Sequence, residues 1–305
     1  MDNFFATNNY WLNIDKPIGY SSAKIVSIVK RITQSRKVGH AGTLDPLATG
    51  VLPIAVNKAT KTSDLIMNND KEYIFAMSWG EFRDTDDLEG KVIKSSTKRP
   101  KTAEILKTLP YFIGKIEQIP PKFSAIKING QKAYDMARRN QDFIIKPRII
   151  TINQITLLEN NKKYAKFLVK CSKGTYIRSL CRDIALKTNS CAYVSNLKRI
   201  KTGIFDINNT ISLDNLKSLV KINNVNGSIF KLRDVLGFMP EITLSNELSF
   251  KVKNGQVIPT DNLSMDMKPN INEKNLIKII NNDELIGIGT INQNKLKPIN
   301  IFNNS

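Results

Sequence analysis

The residues best suited to chemistry lie in one glycine-rich segment, residues 39–50, with the sequence GHAGTLDPLATG. Glycine permits backbone conformations with positive φ, and the proline directly after Asp45 stiffens the turn. The segment is therefore expected to present the Asp45 carboxylate rather than bury it, which makes Asp45 a candidate nucleophile. The alternative is that Asp45 caps an Asx turn. His40, the only histidine of the chain, lies five positions earlier and favours a functional loop.

The other residue types exclude several kinds of site. A single histidine cannot build a multi-histidine zinc site or a histidine-rich proton relay. Cys171, Cys181 and Cys191 form no Cys-x-x-Cys pair and are odd in number, which argues against a zinc ribbon and against a closed disulfide framework. We interpret them as reduced, mostly buried thiols.

A second acidic group, Asp84, Asp86 and Asp87, has two interpretations. Clustered carboxylates can bind a divalent cation or act as an acid–base pair. However, Thr85 and Gly90 favour local hydrogen bonds, and the segment offers fewer oxygen ligands than a calcium loop needs. We therefore predict a turn.

The charge of the chain predicts a polyanionic partner. Its 305 residues contain 46 Lys and Arg against 27 Asp and Glu, a formal net charge of +19, and such a surplus attracts nucleic acid. The alternative is a Lys- and Asn-rich composition without functional meaning. Basic clusters lie at residues 31–37, 98–101, 138–139 and 198–201. They are candidate phosphate contacts, and the alternative is that they are only solvated faces. The first residues lack a signal-peptide pattern and no 18-residue apolar run occurs, so a cytoplasmic location is expected.

Two helices and several strands must position these residues. A strand at residues 10–14 turns at Pro17 and Gly19 into a helix capped by Ser21 or Ser22. Periodicity then disappears over residues 34–50, which predicts a long structured loop, and such loops are usually functional. Further elements are predicted as a strand at 51–56, a helix at 59–67, a strand at 72–79 and a helix from Thr102 to Leu109.

A later strand and helix would bring an arginine towards the site. The strand at 167–171 ends at Gly174, and a helix follows with Thr175 as a plausible cap and Arg178 at the border of its apolar stripe. Without further information Arg178 would be an ordinary surface arginine. Strands mixed with helices indicate an α+β fold around a mixed sheet.

The chain changes character after about residue 230. Short strand-like pieces at 241–244, 277–280 and 285–291 are separated by turn residues, with a surface loop expected at 261–275. We therefore predict a catalytic domain at residues 1–232 and a small β-rich domain at residues 233–305.

Several segments, in order, resemble the motifs of the TruB family of pseudouridine synthases, the tRNA pseudouridine-55 synthases. They span most of the first 205 residues. In chain order they are Asp15-Lys16-Pro17-x-Gly19-x-Ser21-Ser22, residues 39–53, Lys71-Glu72-Tyr73, Asp84-Thr85-Asp86-Asp87-x-x-Gly90, Gln118-x-Pro120-Pro121-x-Phe123-Ser124-Ala125-x-Lys127 and Cys171-Ser172-Lys173-Gly174-Thr175-Tyr176-Ile177-Arg178. Phe123 stands where tyrosine is more familiar, and residues 198–205 match more loosely. Residues 253–259 resemble the start of a PUA-like RNA-binding barrel.

The resemblance implies an isomerase that converts a uridine of the tRNA T-loop, uridine 55, to pseudouridine without cofactor or metal. It assigns the essential carboxylate to Asp45, either as nucleophile or as base and electrostatic partner, and its basic partner to Arg178, which would favour the ionised carboxylate. The target base must be flipped out of its stack. An additional expectation is a monomer without an obligate protein partner or a membrane association.

The resemblance also assigns the residues that shape the pocket. Tyr73 would stack on the base, Tyr176 and the apolar Leu197 would line the pocket, and His40 would contact the substrate. Without the resemblance, Tyr73 and Leu197 would be core residues and His40 a loop histidine that caps the backbone.

Two other functions remain open at this level. One is a tRNA-binding folding assistant of the same fold that acts without chemistry. The other is a carboxylate-dependent hydrolase using Asp45 with Asp84, Asp86 and Asp87.

Overall fold

The computed structural model describes residues 4–139, 141–225, 227, 229–260 and 276–302. Its helices are α1 Phe4–Thr7, α2 Ser22–Thr33, α3 Ser63–Met67, α4 Thr102–Thr108, α5 Ala133–Arg138, α6 Ile177–Lys187, α7 Leu213–Lys221, α8 Leu232–Val235 and α9 Asn246–Lys253, with 3-10 turns at Asn57–Thr62, Leu109–Phe112 and Ile207–Asn209. Its strands are β1 Tyr10–Lys16, β2 Val38–His40, β3 Ala48–Val56, β4 Lys71–Trp79, β5 Glu81–Arg83, β6 Val92–Ser95, β7 Gly114–Gln118, β8 Lys127–Ile128, β9 Gln131–Lys132, β10 Arg148–Asn160, β11 Tyr164–Cys171, β12 Ala192–Thr202, β13 Phe205–Asp206, β14 Glu241–Thr243, β15 Ile258–Pro259, β16 Leu276–Asn281, β17 Glu284–Asn292 and β18 Lys295–Ile301.

A nine-stranded mixed sheet forms the larger part of the molecule. Its strand order is β1-β3-β12-β4-β11-β10-β7, with β2 beside β3 and β13 beside β12. Strand β12 pairs with β3 in parallel and with β4 antiparallel. Buried and half-buried residues alternate along β4, as expected where one face of a strand is fully packed. The predicted α+β class is confirmed.

The central position of β12 determines how the site is assembled. Because β12 lies between β3 and β4, it brings Leu197 opposite both Ala48 and Phe75, and Arg199 opposite both Gly50 and Tyr73. The glycine-rich loop thus ends beside a strand that is far away in sequence.

Helix α2 begins as its sequence predicts. The Ser21 hydroxyl accepts a hydrogen bond from the Lys24 amide, the N-cap arrangement, and Ile25 and Val29 are fully buried. The helix ends at Gln34, whose φ of 56° is left-handed.

Three expectations about local structure were wrong in detail. The loop predicted at 34–50 contains β2 and the start of β3, so the irregular parts are residues 34–37 and 41–47. Pairing of β2 with β3 and of β3 with β1 imposes strand structure on weakly strand-forming residues. The helix predicted at 59–67 is a 3-10 turn followed by α3. The N-caps of α4 and α6 are Lys101 and Tyr176, one residue from the predicted Thr102 and Thr175 positions.

The C-terminal region forms a separate five-stranded sheet of order β14-β16-β17-β18-β15, as its short strand-like pieces between turn residues predicted. A hydrophobic cluster that includes Trp11 and Phe205 of the larger sheet and Ile288 and Phe302 of the C-terminal region joins the two. The domain boundary at residue 232 stays a prediction, and the surface loop predicted at 261–275 lies outside the described residues. Within the described ranges, no helix is long and apolar enough to cross a membrane.

Candidate active site

Asp45 and Arg178 meet at the centre of the candidate site. The Nε atom of Arg178 lies 2.9 Å from Oδ2 of Asp45. The Arg178 side chain is 6% exposed, whereas the Asp45 side chain is 38% exposed. A buried cation therefore contacts a carboxylate that a substrate can reach.

Further contacts hold the Arg178 guanidinium in place. Its Nη1 donates to the Thr85 carbonyl and its Nη2 to the Phe123 carbonyl, each at 3.0 Å. Nη1 also lies 3.4 Å from Oδ2 of Asp87, a second carboxylate partner that the sequence did not assign. The alternative of an ordinary surface arginine is wrong, because α6 turns Arg178 towards the sheet and buries it.

The acidic segment at Asp84, Asp86 and Asp87 is a turn, as predicted. Asp84 Oδ1 accepts from the Lys91 amide, and Asp87 Oδ1 accepts from the Thr85 hydroxyl at 2.6 Å. Among the residues that the structure describes, no group of His, Cys, Asp and Glu side chains is arranged to hold a metal ion.

Asp86 occupies a different environment within the same turn. Its Oδ2 lies 2.7 Å from Nη1 of Arg182, one turn of α6 beyond Arg178. Burial raises the pKa of Asp86 to about 6, although the positive charges of Arg182 and Arg178 act in the opposite direction. The turn is thus attached to α6 by two arginines.

The loop that carries Asp45 is fixed to the end of β1 and the start of α2. Lys16, fully buried, donates from Nζ to the carbonyls of Tyr20 and Pro46. Ser22 both donates to the Leu44 carbonyl and accepts from the Leu44 amide. Burial lowers the pKa of Lys16 to about 8, an effect that the negative charge of Asp45 partly offsets. These contacts hold the backbone on either side of Asp45.

A small cavity, open to solvent, lies beside this ion pair. Its walls come from the Asp45 loop, the acidic turn, α6 and β12, and its lining residues are Asp45, Leu47, Ala48, Asp87, Arg178, Val194, Ser195, Asn196 and Leu197. Three of the predicted site residues, Asp45, Arg178 and Leu197, therefore meet at one cavity. Asp87 and Asn196 join them without having been predicted.

The other three predicted site residues lie outside the lining of this cavity. Tyr73 is 8% exposed in the main core, where burial raises the pKa of its hydroxyl and the positive charge of Arg199 acts in the opposite direction. Tyr176 is half-buried, and its backbone amide and carbonyl are both bonded to the Gln118 side chain. His40 is half-buried on β2 opposite Ile54, where burial and then Arg199 lower its pKa. Their roles in binding stay predictions.

One of the predicted phosphate-contact clusters needs correction. Arg199, within the cluster at residues 198–201, is 1% exposed and cannot contact phosphate from that position. Alternation along β12 places Arg199 on the same face as the buried Leu197, a signal that the basic composition of the cluster obscured. Arg31, Arg138 and Arg139 in other clusters are exposed.

A solved structure of a Cbf5–Nop10–Gar1 complex has the same fold. It is 25% identical to this chain, with a TM-score of 0.75, and the match covers 99% of this chain and 88% of that chain. A further similar structure is an H/ACA ribonucleoprotein bound to a substrate RNA containing 2'-deoxyuridine, at 23% identity and a TM-score of 0.74, covering 96% and 85% of the two chains.

Family models match nearly the whole sequence. Residues 30–177 match the N-terminal domain of the TruB family pseudouridylate synthases, residues 178–239 the tRNA pseudouridylate synthase B C-terminal domain, and residues 240–301 the C-terminal region of pseudouridine synthase II TruB. The fold and these matches define the class of protein, a pseudouridine synthase, and therefore an isomerase.

Two curated relatives identify the family within that class. The tRNA pseudouridine synthase B of Ehrlichia ruminantium (strain Gardel) is 41% identical over 300 residues, covering 96% of this chain and 99% of the relative. That of Rhodospirillum rubrum is 37% identical over 295 residues, covering 96% of each. The chain belongs to the TruB family, as the ordered motifs predicted.

Proposed function

We propose that this protein isomerises uridine 55 in the T-loop of tRNA to pseudouridine, with Asp45 as the catalytic residue. The relatives named tRNA pseudouridine synthase B support tRNA as the substrate class. The formal net charge of +19 supports a polyanionic partner. The single observation that carries the proposal is the accessible Asp45 carboxylate, held by Arg178 at the edge of an open cavity.

The proposed reaction conserves all atoms of the substrate. The bond between the sugar and the uracil nitrogen breaks, the base turns, and a carbon–carbon bond to the same sugar forms. Asp45 acts beside the sugar and base either as nucleophile or as base and electrostatic partner, and both roles require the ionised form. Arg178 fixes the direction of that carboxylate, since its Nε lies 2.9 Å from Asp45 Oδ2.

Access to the uridine requires base flipping. Extruding a base costs a few kcal/mol, and stacking on an aromatic side chain contributes about 1–3 kcal/mol in return. We assign this stacking to Tyr73, with Tyr176 and Leu197 forming the walls and His40 contacting the substrate. Leu197 supports this assignment from the cavity lining. Tyr73 supports it from its pairing on β4 with Arg199 of β12 and from the negative charge of Asp45, which acts on its hydroxyl.

The decisive experiment compares wild-type protein with Asp45→Asn on an unmodified tRNA transcript, in the presence of a chelator. Pseudouridine is mapped at nucleotide resolution, and binding of the transcript is measured in parallel. Product at position 55 with wild type alone, while both proteins bind, is the expected result. A folded wild-type protein that binds and yields no product would instead favour the folding assistant that acts without chemistry.

Three further proposals accompany this function: a monomer, a cytoplasmic location and a catalytic domain that ends near residue 232. Mass photometry of the free protein tests the first. Expression of residues 1–232, followed by the same modification assay, tests the third.

A further inference from the structure

Arg199 is a buried cation at the base of the candidate active site. It is 1% exposed, and no Asp or Glu of the described residues lies within ion-pair distance of it. Burying a charge without an opposite charge is costly, so the fold must satisfy the guanidinium by other means. Its partners are therefore informative.

Those partners lie on both sides of Asp45. Arg199 Nε donates to the Val51 carbonyl at 2.7 Å, and Nη2 donates to the Gly42 carbonyl at 3.0 Å. Gly42 precedes Asp45 in the irregular segment 41–47, and Val51 follows it in β3. A planar guanidinium can bridge two carbonyls in fixed geometry, whereas a lysine ammonium has no comparable fork.

The same guanidinium reaches Tyr73 on the opposite neighbouring strand. The two residues are paired between β12 and β4, and the positive charge of Arg199 acts on the Tyr73 hydroxyl. Arg199 also adds to the electrostatics of the site, because its charge helps burial to lower the pKa of His40 and that of Lys16. One side chain thus connects the Asp45 loop, Tyr73 and the environment of His40.

Gly42 shows how closely the loop approaches this guanidinium. A Cβ at Gly42 would lie 3.2 Å from Nη1 of Arg199, and the φ of Gly42 is +104°. The glycine therefore allows the loop backbone to adopt a conformation that L side chains rarely adopt and to pass close over the arginine.

We propose that Arg199 is a positioning residue of this enzyme, which fixes the backbone on both sides of Asp45. It acts through those groups and does not contact RNA. The consequence for activity rests on the proposed function of Asp45, whereas the consequence for the loop does not.

The test compares wild type with Arg199→Lys, which keeps the charge and removes the fork. Arg233→Lys is the matched control, because Arg233 is bound to Glu241 and Asp283 far from the Asp45 loop in the C-terminal part of the chain. Amide hydrogen exchange of the free full-length proteins is measured by mass spectrometry, together with kcat and the tRNA Kd.

The expected result separates rate from binding. In Arg199→Lys, amides of residues 41–52 exchange at least about tenfold faster, and kcat falls on the order of 100-fold. The tRNA Kd stays within about threefold, because a buried residue makes no phosphate contact. Arg233→Lys leaves kcat and the exchange of residues 41–52 unchanged.

Two results would overturn the proposal: unchanged exchange of residues 41–52, or unchanged kcat. An unchanged kcat together with a weakened Kd would make Arg199 an RNA contact. If Asp45→Asn remains active, the proposed function fails, and the exchange measurement still decides whether Arg199 fixes the loop.

If Arg199→Lys does not fold, nuclear magnetic resonance of the wild type provides the test. The Arg199 Nε–H must then exchange far more slowly than that of the exposed Arg31, and equal rates would refute the proposal.

Discussion

The Nε atom of Arg178 contacts Oδ2 of Asp45 at 2.9 Å, and the two side chains differ sharply in exposure, 6% against 38%. The arginine is fixed by carbonyls and by Asp87, so it does not have to be ordered when a substrate arrives. Electrostatic stabilisation is most effective when the charged groups are already oriented. The site is therefore organised before RNA binds.

Replacing Asp87 by Asn should reduce catalysis without preventing binding. The change removes the charge beside Nη1 of Arg178, while the amide oxygen still accepts from Thr85 and the Glu89 amide. A guanidinium less firmly fixed against Asp45 should lower kcat by about 10- to 100-fold. Single-turnover rates and tRNA Kd values test this expectation.

The control for this change is Asp84→Asn in the same turn. Asp84 accepts from the Lys91 amide, which an asparagine oxygen can also do. Asp84→Asn is therefore expected to retain its rate. Equal losses in the two variants would mean that the turn as a whole matters, rather than the contact of Asp87 with Arg178.

The sequence predicted the parts of the site that lie within ordered motifs. The family resemblance assigns Asp45, Arg178 and Leu197 to the site, and all three line one cavity. Helix α2, β4 and α6 were likewise predictable, because each has a clear period and a recognisable start. Local patterns of this kind depend on few distant residues.

The parts of the site that the sequence did not predict depend on strand register. Asp87 and Asn196 reach the cavity because β12 lies between β3 and β4 and pairs with the acidic turn, which the composition does not reveal. Arg199 was grouped with exposed lysines because its neighbours in sequence are basic. A one-residue difference in position along a strand reverses the face of a side chain, and only pairing decides it.

His40 provides a direct test of the electrostatics of the site. Burial, assisted by the charge of Arg199, lowers the pKa of His40 from 6.5. The unfolded chain therefore binds a proton at this histidine more readily than the folded protein does. The contribution of His40 to the free energy of unfolding is complete above pH 6.5 and decreases as the pH falls towards the folded pKa. Since the chain has one histidine, its imidazole resonances can be titrated without assignment.

The expected midpoint of that titration lies below 6.5 in wild type. It should move upwards in Arg199→Gln, because the nearby positive charge is removed. A midpoint above 6.5 in wild type would contradict the burial of this imidazole.

Glu241 should make the stability of the C-terminal region sensitive to acid. Hydrogen bonds from Arg233 and then Lys278 lower the pKa of Glu241 from 4.5 to about 2. Its stabilising contribution is therefore complete above pH 4.5 and is lost as the pH falls towards about 2. The side chain is 38% exposed, so solvent screens part of this contribution.

Thermal unfolding of Glu241→Gln between pH 7 and pH 3 tests this behaviour. The difference in Tm from wild type should be largest at pH 7 and should shrink below pH 4.5. Glu284→Gln, at an exposed carboxylate, is the control. A difference in Tm that does not depend on pH would show that the ion pairs of Glu241 contribute nothing measurable.

Gly50 of β3 is paired with Arg199 of β12 and leaves no room for a side chain, and its substitution tests whether this close approach supports the fold. Gly50 and Gly114 have nearly the same φ, +95° and +93°. A Cβ at Gly50 would lie 2.2 Å from the Arg199 carbonyl oxygen, whereas a Cβ at Gly114 meets no atom within 4 Å.

Alanine at either position carries the backbone strain of positive φ, about 1–2 kcal/mol. Only Gly50→Ala must also separate two paired strands, so it should lose more than about 4 kcal/mol of unfolding free energy. Urea denaturation of both variants measures the difference, and equal losses would show that backbone strain alone explains the glycine at position 50.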